Sequence, residues 1–529
     1  KRAMKAKKSF RPPPRLRTKT GCSTCRTRRK KCDEAKPICF ACQRLNIPCN
    51  WRDAALGDSR APASPTSSSV VPSDAASDME SVVDISMPAS LEASIWSLPQ
   101  ALRTQQDFNI FEYCARRYMN ILVFPEAGTG FRDMSFLFNI SYQYPFVMHA
   151  ALAPAALHAS FAALIPREDA MVYTQSALQG LRQATGTLAY SSDARDAFLT
   201  ASLFMGIFED FYPAASSASL THYRAIGKVL EQTIAGVPRL QLSSMSFFER
   251  TLLDSVLYHF ATRLLLAEDI EPTCASFPTA TVAKYIEALD SERDDYAASA
   301  SVLPVIGKIP PALFLAIYQV TWLSRQLPFV DDQNQNLALQ CLSELDSLQD
   351  AHPILLHEND ADFHHLSNSD IAAKLYALAL RIFLAKVIDP DNVSSTSSWI
   401  EALLATGLAL LKRYDGSALF GQFITWPMLV LGCASCPVTL FEMIQDKDGE
   451  SGSAVRAQTR HLIQALLLQI WEVSFSGYVK RTATALENIW KIPNVLRSNN
   501  REYGSDSDEE TLYDGLIALI SKKGPGPGL

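Results

Sequence analysis

The sequence predicts a composite fold: a small metal-bound cysteine unit over residues 22–52 and a large all-α body over 104–529, joined by a disordered linker. Three observations carry this. Six of the eleven cysteines lie between Cys22 and Cys49. Residues 53–103 shift to Ser, Ala, Pro and Asp, with Arg60 the sole basic residue between Asp53 and Gln100. Beyond residue 104, apolar residues recur at helical spacing, and period-two runs of β-branched residues are nearly absent. The chain of 529 residues is 48% apolar and 20% charged, too apolar for wholesale disorder and long enough for a large core.

Residues 1–21 form a basic arm interrupted by Pro12, Pro13 and Pro14, where charge repulsion and proline both oppose helix. The arm has no apolar h-region, so no secretory signal is expected. The net charge of −6 conceals a split: residues 1–52 carry 17 basic side chains against Asp33 and Glu34, or +15, and the remainder carries −21. A short polycation on a long acidic body suits a nucleic-acid module, although charge alone also allows a membrane-surface or acidic-protein contact.

Clustered cysteines without an export signal read as metal ligands rather than disulfides. The spacing is Cys22-x2-Cys25-x6-Cys32-x6-Cys39-x2-Cys42-x6-Cys49, two near-equal halves. Between them stand few core formers, namely Ile38, Phe40, Leu45 and Ile47, so bound metal must supply the stability that burial cannot. Six thiolates are two short of two separate four-thiolate sites, and sharing two sulfurs between two Zn²⁺ ions closes both shells. The unit then keeps about +13 over residues 1–52 once metal and thiolate charges are included.

Arg26, Arg28, Arg29, Lys30 and Lys31 stand between Cys25 and Cys32, pinned at both ends by metal. A basic run is ordinarily a solvated face or a localisation signal. Held within a metal knot, this one reads as a DNA contact, gripping phosphates and reaching guanine acceptors in the major groove.

From Asp53 the linker, including the run Ala61 to Ser69, cannot bury enough apolar surface to offset its ordering entropy, and it lacks sustained heptads. In the body, Ser246 to Glu249 reads as a capping box ahead of Leu253, Leu257, Phe260 and Leu264. Ser192 and Asp193 can cap a stripe of Leu199, Leu203, Phe204, Ile207, Phe208 and Phe211, and Ala177, Leu181, Ala184 and Leu188 form another. Two uncharged stretches, 144–166 and 417–441, reach membrane-spanning length. Their interior prolines and small residues fit buried core helices, so no membrane partner is expected.

Weaker signals favour ordinary readings. His357, Glu358, Asp360, Asp362, His364 and His365 lack a fixed ligand spacing and read as a solvated loop, and Cys433 with Cys436 read as core cysteines. Gly128 and Gly130 are too little for a phosphate loop. Asp78 to Trp96, and the segment from Asp506 to Ile517, mix acids with bulky apolar residues as activation segments do; for the second, an acidic cap on a docked helix is the favoured reading. No constellation argues for an enzyme.

The six cysteines, the basic segment and Lys36-Pro37-Ile38-Cys39 resemble the fungal binuclear zinc-cluster (Zn2Cys6) DNA-binding domain, without a gap over residues 22–51. The resemblance implies two short helices and two Zn²⁺ ions bridged by Cys22 and Cys39, with Cys25 and Cys32 completing one and Cys42 and Cys49 the other. It also implies CGG-type triplets in double-stranded DNA as the target, Arg28 and Arg29 nearest the bases, and Arg26, Lys30 and Lys31 nearer phosphate. Many members carry Lys where this chain has Arg29. Pro37 matches a loop proline that shapes the link between the halves.

The body resembles the second fungal-specific transcription-factor domain family, which includes sterol-responsive regulators. The cues are Ala150 to His158, Thr221 to Gly227, Trp426 to Cys433 and Leu486 to Trp490. This implies an all-helical regulatory domain that binds a small apolar ligand or closes over an activation segment. The expectation is a nuclear, zinc-dependent RNA polymerase II regulator, with co-regulators as further partners and either monomer or homodimer open. Two rivals stand beside it: a helical enzyme with an appended basic module, and a metal-buffering or zinc-mediated protein-interaction unit.

Overall fold

The computed structural model describes eleven positions of the cysteine unit (22, 24, 25, 28, 30, 32–34, 39, 42 and 49) and then 101–124, 135–186, 191–212, 218–234, 236–237, 240–242, 245, 247–291, 307–352, 355, 366–436, 452–502 and 513–525. The chain divides into two compact units at Ser86 and Met87. The expected basic arm, residues 53–100 of the expected linker, the 357–365 cluster, Gly128, Gly130, Leu188, Ser246 and the Asp78 to Trp96 segment lie outside the described residues. Ala101 and Leu102, which the linker reading included, are instead buried in the core of the helical body.

The second unit is all-α, with no strand among the described residues. Its longer helices are α1 (Gln105–Arg116), α2 (Ser135–Gln143), α3 (Pro145–Phe161), α4 (Arg167–Ala184), α5 (Ser192–Glu209), α6 (Ala218–Ile234), α7 (Phe247–Leu264), α8 (Thr279–Ser291), α9 (Pro311–Arg325), α10 (Asp332–Ala351), α11 (Asn368–Ile388), α12 (Ser398–Leu411), α13 (Thr425–Ala434), α14 (Gly452–Ser474) and α15 (Gly477–Glu502).

Local chemistry starts these helices. Thr104 and Asp107 form a capping box on α1: the Thr104 hydroxyl accepts the Asp107 N–H at 3.1 Å and Asp107 accepts the Thr104 N–H at 2.7 Å. Such a cap contributes about 1 kcal/mol. Tyr173 of α4 donates to the other Asp107 oxygen at 2.8 Å, so the cap also joins two helices. Ser367 and Asp370 repeat the device on α11. The α5 cap corrects the sequence expectation. Ser191, one residue before Ser192, accepts the Ala194 N–H at 3.3 Å, because the backbone is extended at 191 and already helical at 192.

Packing follows the apolar pattern. α3 is buried almost all round from Val147 to Ala159, and every residue of α13 is buried, as core helices require. Among the described residues no helix is long and apolar enough to cross a membrane. Leu253, Leu257, Phe260 and Leu264 of α7 and Ala177 and Leu181 of α4 face the same core, and Ala184 is buried as well. α6 approaches α5 at Gly206, where a Cβ would stand 2.6 Å from the Tyr223 ring, so only glycine admits this crossing. Two of the sequence islands meet directly: the Trp490 indole donates to the Gly432 carbonyl at 2.9 Å.

The segment 513–525 is fastened to helices far upstream. Leu516 and Leu519 are fully buried, and a short helix, Ile517–Ile520, packs on α9, α11 and α13. Asp514 accepts from Lys386 at 3.2 Å and from the Leu516 N–H at 3.1 Å, while Arg325 donates to the Ser521 carbonyl at 2.6 Å. This matches the docked-helix reading of that segment; Asp506 to Glu510 lie outside the described residues.

Candidate metal centre and nucleic-acid interface

The structure draws the six cysteine sulfurs into two overlapping sets. Cys22, Cys25, Cys32 and Cys39 bring their Sγ atoms within 4.8 Å of one another, and so do Cys22, Cys39, Cys42 and Cys49. Cys22 and Cys39 belong to both sets, their sulfurs 3.7 Å apart. Two sets of four soft thiols, with no oxygen donor among them, fit tetrahedral Zn²⁺ in both ligand type and number.

Short helical turns create this geometry. The Arg28 N–H donates to the Thr24 carbonyl at 3.2 Å, and the Lys30 N–H donates to the Cys25 carbonyl at 3.0 Å, a six-to-one bond of the kind that ends helices. Cys42 lies in a second helical turn, its N–H donating to the Cys39 carbonyl at 3.0 Å. Backbone N–H groups also donate to sulfur: Cys25 to Cys22 at 3.3 Å, Glu34 to Cys32 at 3.4 Å and Cys39 to Cys49 at 3.3 Å. These donors stabilise negative charge on the sulfurs.

Burial pushes the Cys22, Cys25 and Cys42 thiols up to about 12. Burial acts the same way on Cys39, but hydrogen bonds from the Cys42 backbone and the neighbouring thiols outweigh it and bring that group down to about 6. Without metal the Cys22, Cys25 and Cys42 sulfurs therefore favour the protonated form and Cys39 the thiolate, and metal binding must displace the protons of those three.

Arg28 and Lys30 are exposed on the segment between Cys25 and Cys32. Arg26, Arg29 and Lys31 lie outside the described residues.

The helical body holds a second feature, which the sequence reading missed. Buried Asp210, at the end of α5, accepts from the Arg263 Nε of α7 at 3.1 Å. The same Asp210 oxygen lies 3.5 Å from His259 Nδ1, and Arg481 of α15 stands 3.7 Å from the other oxygen. Burial alone would raise the Asp210 carboxyl, but the Arg263 charge, then His259 and Arg481, hold it far below the usual carboxylate range. The signal available was His259 and Arg263, four residues apart on the same helix face and both buried. Their partners at 210 and 481 are too distant in sequence for periodicity to reveal. Cys433 and Cys436 are fully buried with their thiols pushed up by burial, as core cysteines are.

Burial also brings His158, His222 and His259 down to about 4. His158 is satisfied while neutral: its Nε2–H donates to the Val473 carbonyl at 2.9 Å and its Nδ1 accepts from Tyr113 at 2.7 Å. Because the folded values lie below the ordinary 6.5, the unfolded chain takes these protons first. Stability is full above about pH 7 and is lost as pH falls through 6.5 towards 4, by roughly 2–3 kcal/mol per histidine at pH 4. Urea titrations at pH 7.5, 6, 5 and 4.5 are expected to show the midpoint falling at each step; an unchanged midpoint down to pH 5 would contradict buried neutral histidines.

Comparison with known proteins agrees with this geometry. The family model described as the fungal specific transcription factor domain matches residues 111–501, and that of the fungal Zn(2)-Cys(6) binuclear cluster domain matches residues 20–57. The chain is 56% identical over 36 residues to the transcriptional regulatory protein pro1 of Neurospora crassa, covering 7% of this chain and 5% of that protein. It is 48% identical over 50 residues to the transcription factor lfc1 of Flammulina velutipes, covering 10% and 18%. It is 60% identical over 37 residues to the transcriptional regulatory protein moc3 of Schizosaccharomyces pombe, covering 7% of each. The matched residues thus span at most 18% of the length of these curated relatives. No solved structure matches the chain.

Proposed function

The chain belongs to the fungal specific transcription factor domain family, and from that premise we propose that it is a nuclear, zinc-dependent regulator of RNA polymerase II transcription that reads CGG-type triplets in double-stranded DNA. The observation that carries this reading is the pair of overlapping cysteine tetrads with exposed Arg28 and Lys30 between two of their members. In this reading Cys22 and Cys39 are shared by two Zn²⁺ ions, Cys25 and Cys32 complete one site, and Cys42 and Cys49 complete the other. Zinc supplies the cross-link that this short segment lacks.

The basic side chains divide the labour. Arg28 and Arg29 approach the base edges, where a guanidinium can span guanine O6 and N7, and Arg26, Lys30 and Lys31 hold phosphates. The arm at residues 1–21 serves as an import signal and as additional phosphate contact, residues 53–100 act as a tether, and the body beyond them, which includes the buried Ala101 and Leu102, is the regulatory domain. That domain contacts co-regulators and binds a small apolar ligand. Pairing of two copies would place triplets at a fixed spacing.

Selection of bound sequences from a random DNA pool tests the reading. Enriched triplets support it, with their number and spacing reporting stoichiometry; no enriched sequence refutes it. Arg29→Ala is expected to cost about 1–3 kcal/mol on the selected site and to flatten base preference. Lys31→Ala should weaken all sequences alike and reduce the salt slope by about one. Equal losses on selected and scrambled DNA for Arg29→Ala would remove it from readout.

A further inference from the structure

Beside the Asp210 cluster lies a cavity of about 310 Å³, lined from five separate stretches of the helical body. Its walls are mainly apolar, with Leu203, Phe204, Phe248 and Leu252 contributed by α5 and α7. Asp210 itself lines it, and so do five further polar residues, Tyr118, Ser255, Tyr258, His259 and Arg263. All five residues are at least nine-tenths buried. The hydroxyls of the first three, His259 Nε2 and Arg263 Nη2 make no hydrogen bond to any described residue, although the other nitrogens of Arg263 are bound to Asp210 and Thr262. Donors and acceptors that face a cavity in the interior cost free energy unless water or a ligand meets them, so this group is arranged for an occupant.

Charge narrows the class. Arg263, which lines the cavity, and Arg481, which contacts Asp210 without lining it, bring two positive charges to the Asp210 carboxylate, and the neighbouring acid Glu209 does not line the cavity. The cluster therefore carries one buried positive charge in excess, which an anionic group would offset. Size narrows it further. A dry cavity of about 150 Å³ holds benzene, so twice that volume takes a body of about ten carbons. A single terminal anion satisfies the charge, while the apolar walls take the rest.

We propose that this cavity binds a small monocarboxylate with an apolar body, its carboxylate seated against Arg263 and His259 and its hydrocarbon between α5 and α7. This deepens the ligand-binding reading of the helical body and is independent of DNA recognition. An occupant would touch α5, α7 and residues just before α13 and α15 at once, and so couple helices that are distant in sequence.

The test uses the zinc-loaded full chain with decanoate, decanol and decylamine as probes, followed by calorimetric titration and thermal unfolding. Decanoate is expected to raise the melting temperature of the body and to bind at least tenfold more tightly than decanol, with decylamine giving no shift. Arg263→Met should erase the preference of decanoate over decanol. Because that variant leaves Asp210 with a weaker counter-charge, Ser255→Phe provides a second probe, filling the cavity without touching the ion cluster, and should abolish binding of both. Equal affinity for decanoate and decanol, no binding of decanoate, or binding unaltered by Ser255→Phe would each overturn the proposal. DNA binding measured on the same preparations reports separately on the cysteine unit.

Discussion

Cys39→Ser is expected to release both zinc ions, whereas Cys49→Ser releases one. The Cys39 sulfur belongs to both four-sulfur sets and the Cys49 sulfur to one, so the two substitutions remove the same atom type with unequal consequences. Metal binding contributes on the order of 10–16 kcal/mol to folding of small zinc units, far more than the few apolar residues of this segment can replace. Losing both ions should therefore abolish the folded unit and with it specific DNA binding, by at least about 10³-fold, the lower end of the gap between specific and non-specific affinity. Elemental analysis of purified chain gives the zinc ratio, and band-shift titration gives the affinity. A Cys39→Ser protein that keeps one tightly held zinc would refute the shared-sulfur arrangement. Chelation of the wild-type chain should reproduce the Cys39→Ser result, while leaving the helical signal of the second unit in place.

Asp210→Ala should destabilise the helical body by about 3–5 kcal/mol, because it strands Arg263 and Arg481 in the interior without their counter-charge. Burial and hydrogen bonding separate this pair from the surface pair Arg116 to Glu112, at 2.9 Å on α1, whose guanidinium side chain is 80% exposed. Glu112→Ala should cost less than about 0.5 kcal/mol. The contrast tests location at fixed chemistry, since each variant removes one carboxylate from an arginine. Urea unfolding followed by circular dichroism measures both. A cost below about 1 kcal/mol for Asp210→Ala would mean that water reaches the cluster or that the arginines relocate.

What was legible in the sequence was whatever depends on local spacing. The six cysteines lie within one short segment, so ligand count and sharing could be argued from the interval pattern. The stripes on α4, α5 and α7 likewise declared their faces through residues three and four apart. Boundaries were less legible: Ser191, Ser192 and Asp193 can all cap, and only the backbone conformation selects Ser191. The Asp210 cluster was not legible. Its members come from α5, α7 and α15, and no periodic pattern joins positions 210, 259, 263 and 481; their meeting is set by how whole helices stack. The same holds for Lys386 and Asp514, separated by 128 residues and joined only in the folded body.

That last pair bears on how the chain is made. A ribosome delivers Lys386 and the apolar seat formed by α9, α11 and α13 well before it delivers Asp514, Leu516 and Leu519. During that interval an ammonium met only by the Pro390 and Val393 carbonyls and an oily groove lack their cover, a surface suited to chaperone capture or to self-association. The body is closed by a latch synthesised late, so the waiting time before the latch arrives, and not helix formation, governs how much nascent chain is exposed to loss.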